Sequence, residues 1–162
     1  MAKITLITIT GHESYRMGVR KDMMSGEDIR NAGLKVTLPR VKILGVLEQL
    51  ERGHVSAEDV YKLLLDAGEE IGLATIYRVL TQFEAAGLVT RHHFEGGQSV
   101  FELDRGEHHD HIVCIRCGRV EEFFDQTIED RQQEIAIDKG FSVEAHALTI
   151  YGYCKDPACK AP

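Results

Sequence analysis

Apolar residues along the chain follow helical spacing first and strand spacing afterwards. Ser25 caps a first helix, with Asp28 at the capping-box position in place of the usual Glu and Gly33 as the stop. A second starts near Thr37, admits Pro39 in its first turn, and carries Ile43, Leu44, Leu47 and Leu50 on one stripe. Ser56-Ala57-Glu58-Asp59 opens a third, with Val60, Leu63, Leu64 and Ala67 facing inward and Gly68 ending it. A fourth runs from about Ala74 to Ala86, buries Ile76, Leu80 and Phe83, and closes at Gly87. The period then drops to two. Leu88 to Phe94 and Ser99 to Leu103 read as strands joined by Glu95-Gly96-Gly97-Gln98, a hairpin signal because glycine supplies positive φ. Helices followed by one hairpin describe a winged helix-turn-helix.

Asp104-Arg105-Gly106-Glu107 is polar and contains glycine, which marks it as a hinge. Beyond it the pattern predicts strands at His111–Cys114 and Val120–Phe124, a helix from Asp125 to Lys139 stopped by Gly140, and a long strand from Phe141 to Tyr153. The expected fold is α+β, with a winged-helix domain at 25–104, a small α/β domain at 105–162, and an extension at 1–24. The extension alternates apolar residues and Thr, then becomes charged. All the methionines (Met1, Met17, Met23 and Met24) fall inside it, as a downstream start would explain; otherwise it is an edge or swapped strand.

The 162 residues are 43% hydrophobic, too apolar for disorder and long enough for one domain or two small ones. No apolar run approaches the roughly 18 to 20 residues that span a bilayer, and no secretory signal is read, so a cytoplasmic protein without membrane contact is expected. A net charge of −7 argues against nucleic acid as a partner. Locally the balance reverses: Arg30, Lys35, Arg40 and Lys42 lie between Ile29 and Leu47 with no acidic residue among them. On the fourth helix Thr75, Tyr77, Arg78, Thr81 and Gln82 stand outside the apolar stripe, where they can meet base edges and phosphates in a major groove. Arg91 starts the wing, a natural place for a phosphate contact. A lone polar helical face is usually just solvated; helix order, wing and basic stretch together favour DNA.

All four Cys and four of the His lie after residue 107. Cys114-Ile-Arg-Cys117 and Cys154-Lys-Asp-Pro-Ala-Cys159 supply two close thiolate pairs, the pattern of tetrahedral zinc. A disulfide is disfavoured without a secretion signal, and a redox centre without a thioredoxin-like βαβ pattern. In His108-His109-Asp110-His111 strand alternation sends His109 and His111 one way and His108 and Asp110 the other, so one tetrapeptide can seed two ion sites. Such a tract can also be a solvated turn. Metal is favoured because His54, Glu102, Glu129 and His146 could complete the shells, whose imidazole and carboxylate donors suit Fe(II), Mn(II), Zn(II) or Co(II).

AGLKVTLPR (32–40), HVSAEDVY (54–61), GEEIGLATIYRVLTQFEAAGLVTRH (68–92), FEGGQSVFEL (94–103), HHDHIVCIRCGRVEEF (108–123) and the Cys154/Cys159 pair resemble the ferric uptake regulator family of metal-responsive repressors. The resemblance covers nearly everything from about residue 30 onward. It implies a homodimer, with a winged helix for DNA and a C-terminal dimerisation domain. It implies a regulatory site of His54, Glu102, His109 and His111, a second site of His108, Asp110, Glu129 and His146, and a structural Zn2+ on Cys114, Cys117, Cys154 and Cys159. Tyr77 and Arg78 would lie on the recognition helix, and Lys35 would enter the minor groove.

The reading that follows is a repressor of iron-uptake genes with Fe2+ as corepressor, replaceable by Mn2+, Co2+ or Zn2+. One ion held from both sides of the hinge would fix the dimer geometry that spaces two recognition helices on an operator. Its occupancy would fall as imidazoles protonate. Sensors of zinc, manganese or peroxide are the alternatives inside the family. A metallohydrolase is a remote one, since no HExxH or nucleophile motif is present. Zinc on four thiolates and one further divalent ion cancel in charge, so a loaded subunit remains at −7. Metal must therefore act through geometry.

Overall fold

The computed structural model describes residues 26–50, 53–94 and 99–159. The hairpin turn at 95–98, the extension and the Ser25 cap lie outside these. Four helices come first: α1 (Gly26–Asn31), α2 (Leu38–Gln49), α3 (Ala57–Asp66) and α4 (Leu73–Ala85). They enclose Ile29, Ile43, Leu44, Leu47, Val60, Leu64, Ile76, Leu80 and Phe83, nearly all fully buried. Pro39 sits in the first turn of α2, where its missing N–H has no helical partner to lose. At the start of α3, Ser56 Oγ accepts from Asp59 N at 3.1 Å while Asp59 Oδ2 accepts from Ser56 N at 3.2 Å. This is a reciprocal capping box.

Against the helices lies an antiparallel sheet ordered β1-β3-β2, from β1 (Val55–Ser56), β2 (Val89–His92) and β3 (Val100–Leu103). Its register sets Val55 opposite Phe101 and Thr90 opposite Glu102. Phe101 enters the helical core, so the neighbouring Glu102 faces the other way. The two-residue β1 has too little pattern to be expected from sequence. Ala67, expected inside, is exposed beyond the last turn of α3.

The second sheet, ordered β5-β4-β6, contains β4 (Asp110–Cys114), β5 (Val120–Phe123) and β6 (Thr149–Gly152), with α5 (Gln126–Asp138) between β5 and β6. β4 pairs antiparallel with β5 and parallel with β6. Asp125 caps α5 by accepting from Thr127 N at 2.8 Å. The strand expected over Phe141 to Tyr153 is four residues long. Residues 141–147 have the alternation of a strand but pair with no strand among the described residues, Leu148 O being the first to accept from β4 (His111 N, 3.0 Å), and a strand needs a neighbour to satisfy its backbone groups. The architecture is α+β, as the patterning predicts, and no described helix is long and apolar enough to cross a membrane.

Candidate metal centres

Three clusters of metal-binding side chains lie in or against the second sheet. The simplest is sulfur. Cys114 ends β4, Cys117 follows in a tight turn, and Gly118 takes a φ of +73° that a side chain at that position would disfavour. Ile115 N donates to Gly152 O at 2.9 Å, which brings the chain after β6 alongside this turn. Cys114 Sγ is then 3.7 Å from Cys159 Sγ, and Cys117 Sγ is 3.8 Å from Cys154 Sγ. A disulfide needs about 2.05 Å, whereas sulfurs about 2.3 Å from one tetrahedral ion lie about 3.8 Å apart. N–H groups of Cys154 and Cys117 lower the Cys114 thiol to about 5, and the adjoining sulfurs push Cys159 far upward. One thiolate forms readily; four need a cation.

The second cluster joins the two halves. His54 immediately precedes β1 and Glu102 lies on β3, whereas His109 and His111 come after the Asp104–Glu107 segment. His54 Nε2 is 3.0 Å from Glu102 Oε2 and 2.9 Å from His111 Nε2, and His109 Nε2 is 3.2 Å from the same Glu102 oxygen. The four residues expected here therefore converge. Two more join them. Glu122, opposite His111 on β5, has Oε1 3.8 Å from His54 Nδ1, and His92 Nε2 is 2.7 Å from Glu102 Oε1. Burial works to raise the pKa of Glu102, but hydrogen bonds from His54 and His92 outweigh it and hold the carboxyl well below its usual range. Burial, with the nearby His54 and His92, lowers His111 to about 4, which keeps that imidazole neutral and its lone pair available. Nitrogen and carboxylate donors without sulfur fit a borderline or hard divalent ion.

The third cluster uses the opposite face of the same tetrapeptide. His108 Nε2 lies 3.4 Å from Glu129 Oε1 and 3.7 Å from Asp110 Oδ1, and His146 Nε2 lies 3.0 Å from Glu129 Oε2. Asp110 and Glu129 are 1% and 7% exposed. Asp110 Oδ2, Glu129 Oε1 and His146 Nε2 are buried without a hydrogen bond of good geometry. Burying two carboxylates with orphaned oxygens is costly, and a cation among them would remove that cost. A cleft of about 600 Å³ between the halves is lined by residues of both clusters, including His109, Glu122, His108 and His146.

In the helical half, α4 exposes Tyr77, Arg78 and Thr81, with Thr75 half-buried beside them. Tyr77 OH donates to Glu58 Oε1 at 2.8 Å. Arg40 donates to Gln82 Oε1 at 2.8 Å and to the Lys35 carbonyl, which ties the exposed Lys35 loop to α4. Arg91 is held inward: it donates to Ser99 Oγ at 3.1 Å, lies over the Phe101 ring, and has Glu84 3.8 Å away.

The ferric uptake regulator family model matches residues 31–151. The ferric uptake regulation protein of Legionella pneumophila is 62% identical over 138 residues, which cover 85% of this chain and 100% of that one. Among solved structures, the ferric uptake regulator of Vibrio cholerae aligns with a TM-score of 0.75 at 60% identity, covering 80% of this chain and 98% of that one. The Pseudomonas aeruginosa ferric uptake regulator with manganese aligns at 0.70 and 57% identity, covering 83% and 100%.

Proposed function

The chain belongs to the ferric uptake regulator family, and from that premise we propose that it is a cytoplasmic, homodimeric repressor that binds operators of iron-uptake genes when loaded with Fe2+. The observation that carries this reading is the convergence of His54 and Glu102 with His109 and His111 from the other side of the Asp104–Glu107 segment. A divalent ion at that point supplies the charge that draws these donors into one shell. His54 and Glu102 then hold the winged-helix domain, and His109, His111 and Glu122 hold the C-terminal domain, in one relative orientation. Mn2+, Co2+ or Zn2+ would serve in place of Fe2+. Cys114, Cys117, Cys154 and Cys159 would carry a structural Zn2+, and His108, Asp110, Glu129 and His146 a second ion.

Dimerisation is supported by what the C-terminal domain leaves uncovered. Phe124, Ile137, Phe141 and Tyr153 are 58%, 70%, 71% and 64% exposed, and residues 141–147 have strand alternation without a strand partner among the described residues. A second copy would cover both. DNA would meet Tyr77, Arg78 and Thr75 on α4, with Lys35 and Arg40 beside them and Arg91 at the wing base steadying it.

The test is operator binding by the His109→Ala variant titrated with Mn(II). The concentration for half-maximal binding should rise by more than the roughly 10- to 100-fold typical of losing an outer-sphere partner. Operator binding with unchanged metal dependence would overturn the hinge-clamp reading.

A further inference from the structure

His92 does not belong to the ligand set expected from the sequence, yet it makes the shortest of the His–Glu102 contacts in the hinge cluster. Its place follows from the sheet register. Thr90 is opposite Glu102 and His92 opposite Val100, so His92 and Glu102 are diagonal neighbours on the face turned away from the helical core. The carboxylate is divided between two tasks. Oε2 faces the convergence point, 3.0 Å from His54 Nε2 and 3.2 Å from His109 Nε2. Oε1 is turned away to His92 Nε2 at 2.7 Å.

The His92 ring is itself fixed. It stacks on Phe94 with centroids 5.5 Å apart and planes 5° from parallel, and Phe94 also packs at 5.4 Å from His111 and 6.0 Å from His54. A carboxylate with a free second oxygen can rotate and chelate through both oxygens; one with its second oxygen bound to a clamped imidazole presents a single donor. Outer partners of this kind set the orientation of metal-binding carboxylates and change affinity without touching the ion.

We propose that His92 is a positioning residue for the hinge metal site: its Nε2–H holds Glu102 Oε1, so that Glu102 binds the ion through Oε2 alone. This rests on the hinge site being the metal site proposed above. It also ties the wing strand to the ion, since His92 ends β2 and Phe94 stacks on it. A loosened wing would loosen Glu102, and a bound ion would in turn steady the base of the wing.

The experiment compares wild type, His92→Ala and His92→Gln as full-length, zinc-containing protein. Mn(II) affinity is measured by calorimetry, and the number of imidazoles on a Co(II) probe by paramagnetic NMR. His92→Ala should weaken Mn(II) binding by roughly 10- to 100-fold. His92→Gln, whose amide N–H can still reach Glu102, should recover most of that loss. The imidazole count on Co(II) should be the same in wild type and His92→Gln. The melting temperature without added Mn(II) should be equal in all three, which separates positioning from folding. Wild-type affinity in His92→Ala, or an imidazole lost from Co(II) in His92→Gln, would overturn the positioning role. Failure of the site itself would look different: His109→Ala would then bind Mn(II) as wild type does.

Discussion

The helical half and the second sheet are held together differently. Between Ile29 and Phe101 one continuous cluster of apolar side chains is buried, with Phe83, Phe101, Ile76 and Leu80 fully enclosed. After residue 104, the described residues that reach the same burial are Val113 and Cys114 among the apolar ones, and Asp110, His111 and Glu129 among the polar. Helix α5 buries Glu129 while Ile135 and Ile137 face outward. The first half is thus organised by the hydrophobic effect. The second has a polar interior and an apolar exterior, an arrangement that makes sense if ions fill the one and a second subunit covers the other.

The sharpest way to break this contrast is to remove a sulfur. Cys114→Ser should abolish tight zinc binding and, because structural zinc contributes on the order of 10 kcal/mol to folding in small sites, leave the C-terminal half unfolded and the dimer dissociated. Metal analysis, two-dimensional NMR and sedimentation would report it, with N-terminal resonances staying near their positions. Full zinc content and a normal melting temperature would show that this half holds together some other way. The complementary change is Phe83→Ala, which empties a fully buried site in α4. It should cost about 3–5 kcal/mol in urea unfolding of the helical half and leave zinc stoichiometry unchanged.

Glu129→Gln probes the polar interior more gently. Glu129 Oε1 and Asp110 Oδ2 are buried and orphaned, so neutralising one carboxylate should stabilise the metal-free protein by roughly 1–2 kcal/mol. With Mn(II) or Zn(II) added the sign should invert, since the variant has lost a donor. Destabilisation in both conditions would mean that Glu129 contributes through packing and not through an ion.

How much of this is readable in the chain differs between the two halves for physical reasons. Apolar residues at helical spacing mark α2, α3 and α4, and a capping box marks the start of α3, because those elements bury one face in a core the chain itself supplies. The cysteine pairs are equally plain, since chelation demands short local spacing. His92 and Glu122 are invisible until register is known: each becomes part of the hinge cluster only because Thr90 faces Glu102 on one sheet and His111 faces Glu122 on the other. The overlong strand at 141–153 errs for the converse reason. Its alternation is genuine, but pairing depends on a neighbour that the pattern does not name.

Ser56→Ala is the smallest change and tests the contrast where the halves meet. Ser56 Oγ accepts from Asp59 N at 3.1 Å and donates to Asp59 Oδ2 at 2.6 Å, so losing it should cost about 1 kcal/mol of helical-half stability. His54 lies two residues upstream, and the question is whether its position depends on the cap. Val55 pairs with Phe101, which is fully buried, so β1 is anchored through the core independently of the Ser56 side chain. Mn(II) affinity should therefore change by less than about twofold, as for sites that do not share a partner. A fall of about fivefold, equivalent to roughly 1 kcal/mol, would show the loss passing whole from the cap into the ion site. In that case the regulatory ion would draw directly on the local order of α3, and the core-built and ion-built parts of the molecule would be one cooperative unit at the hinge.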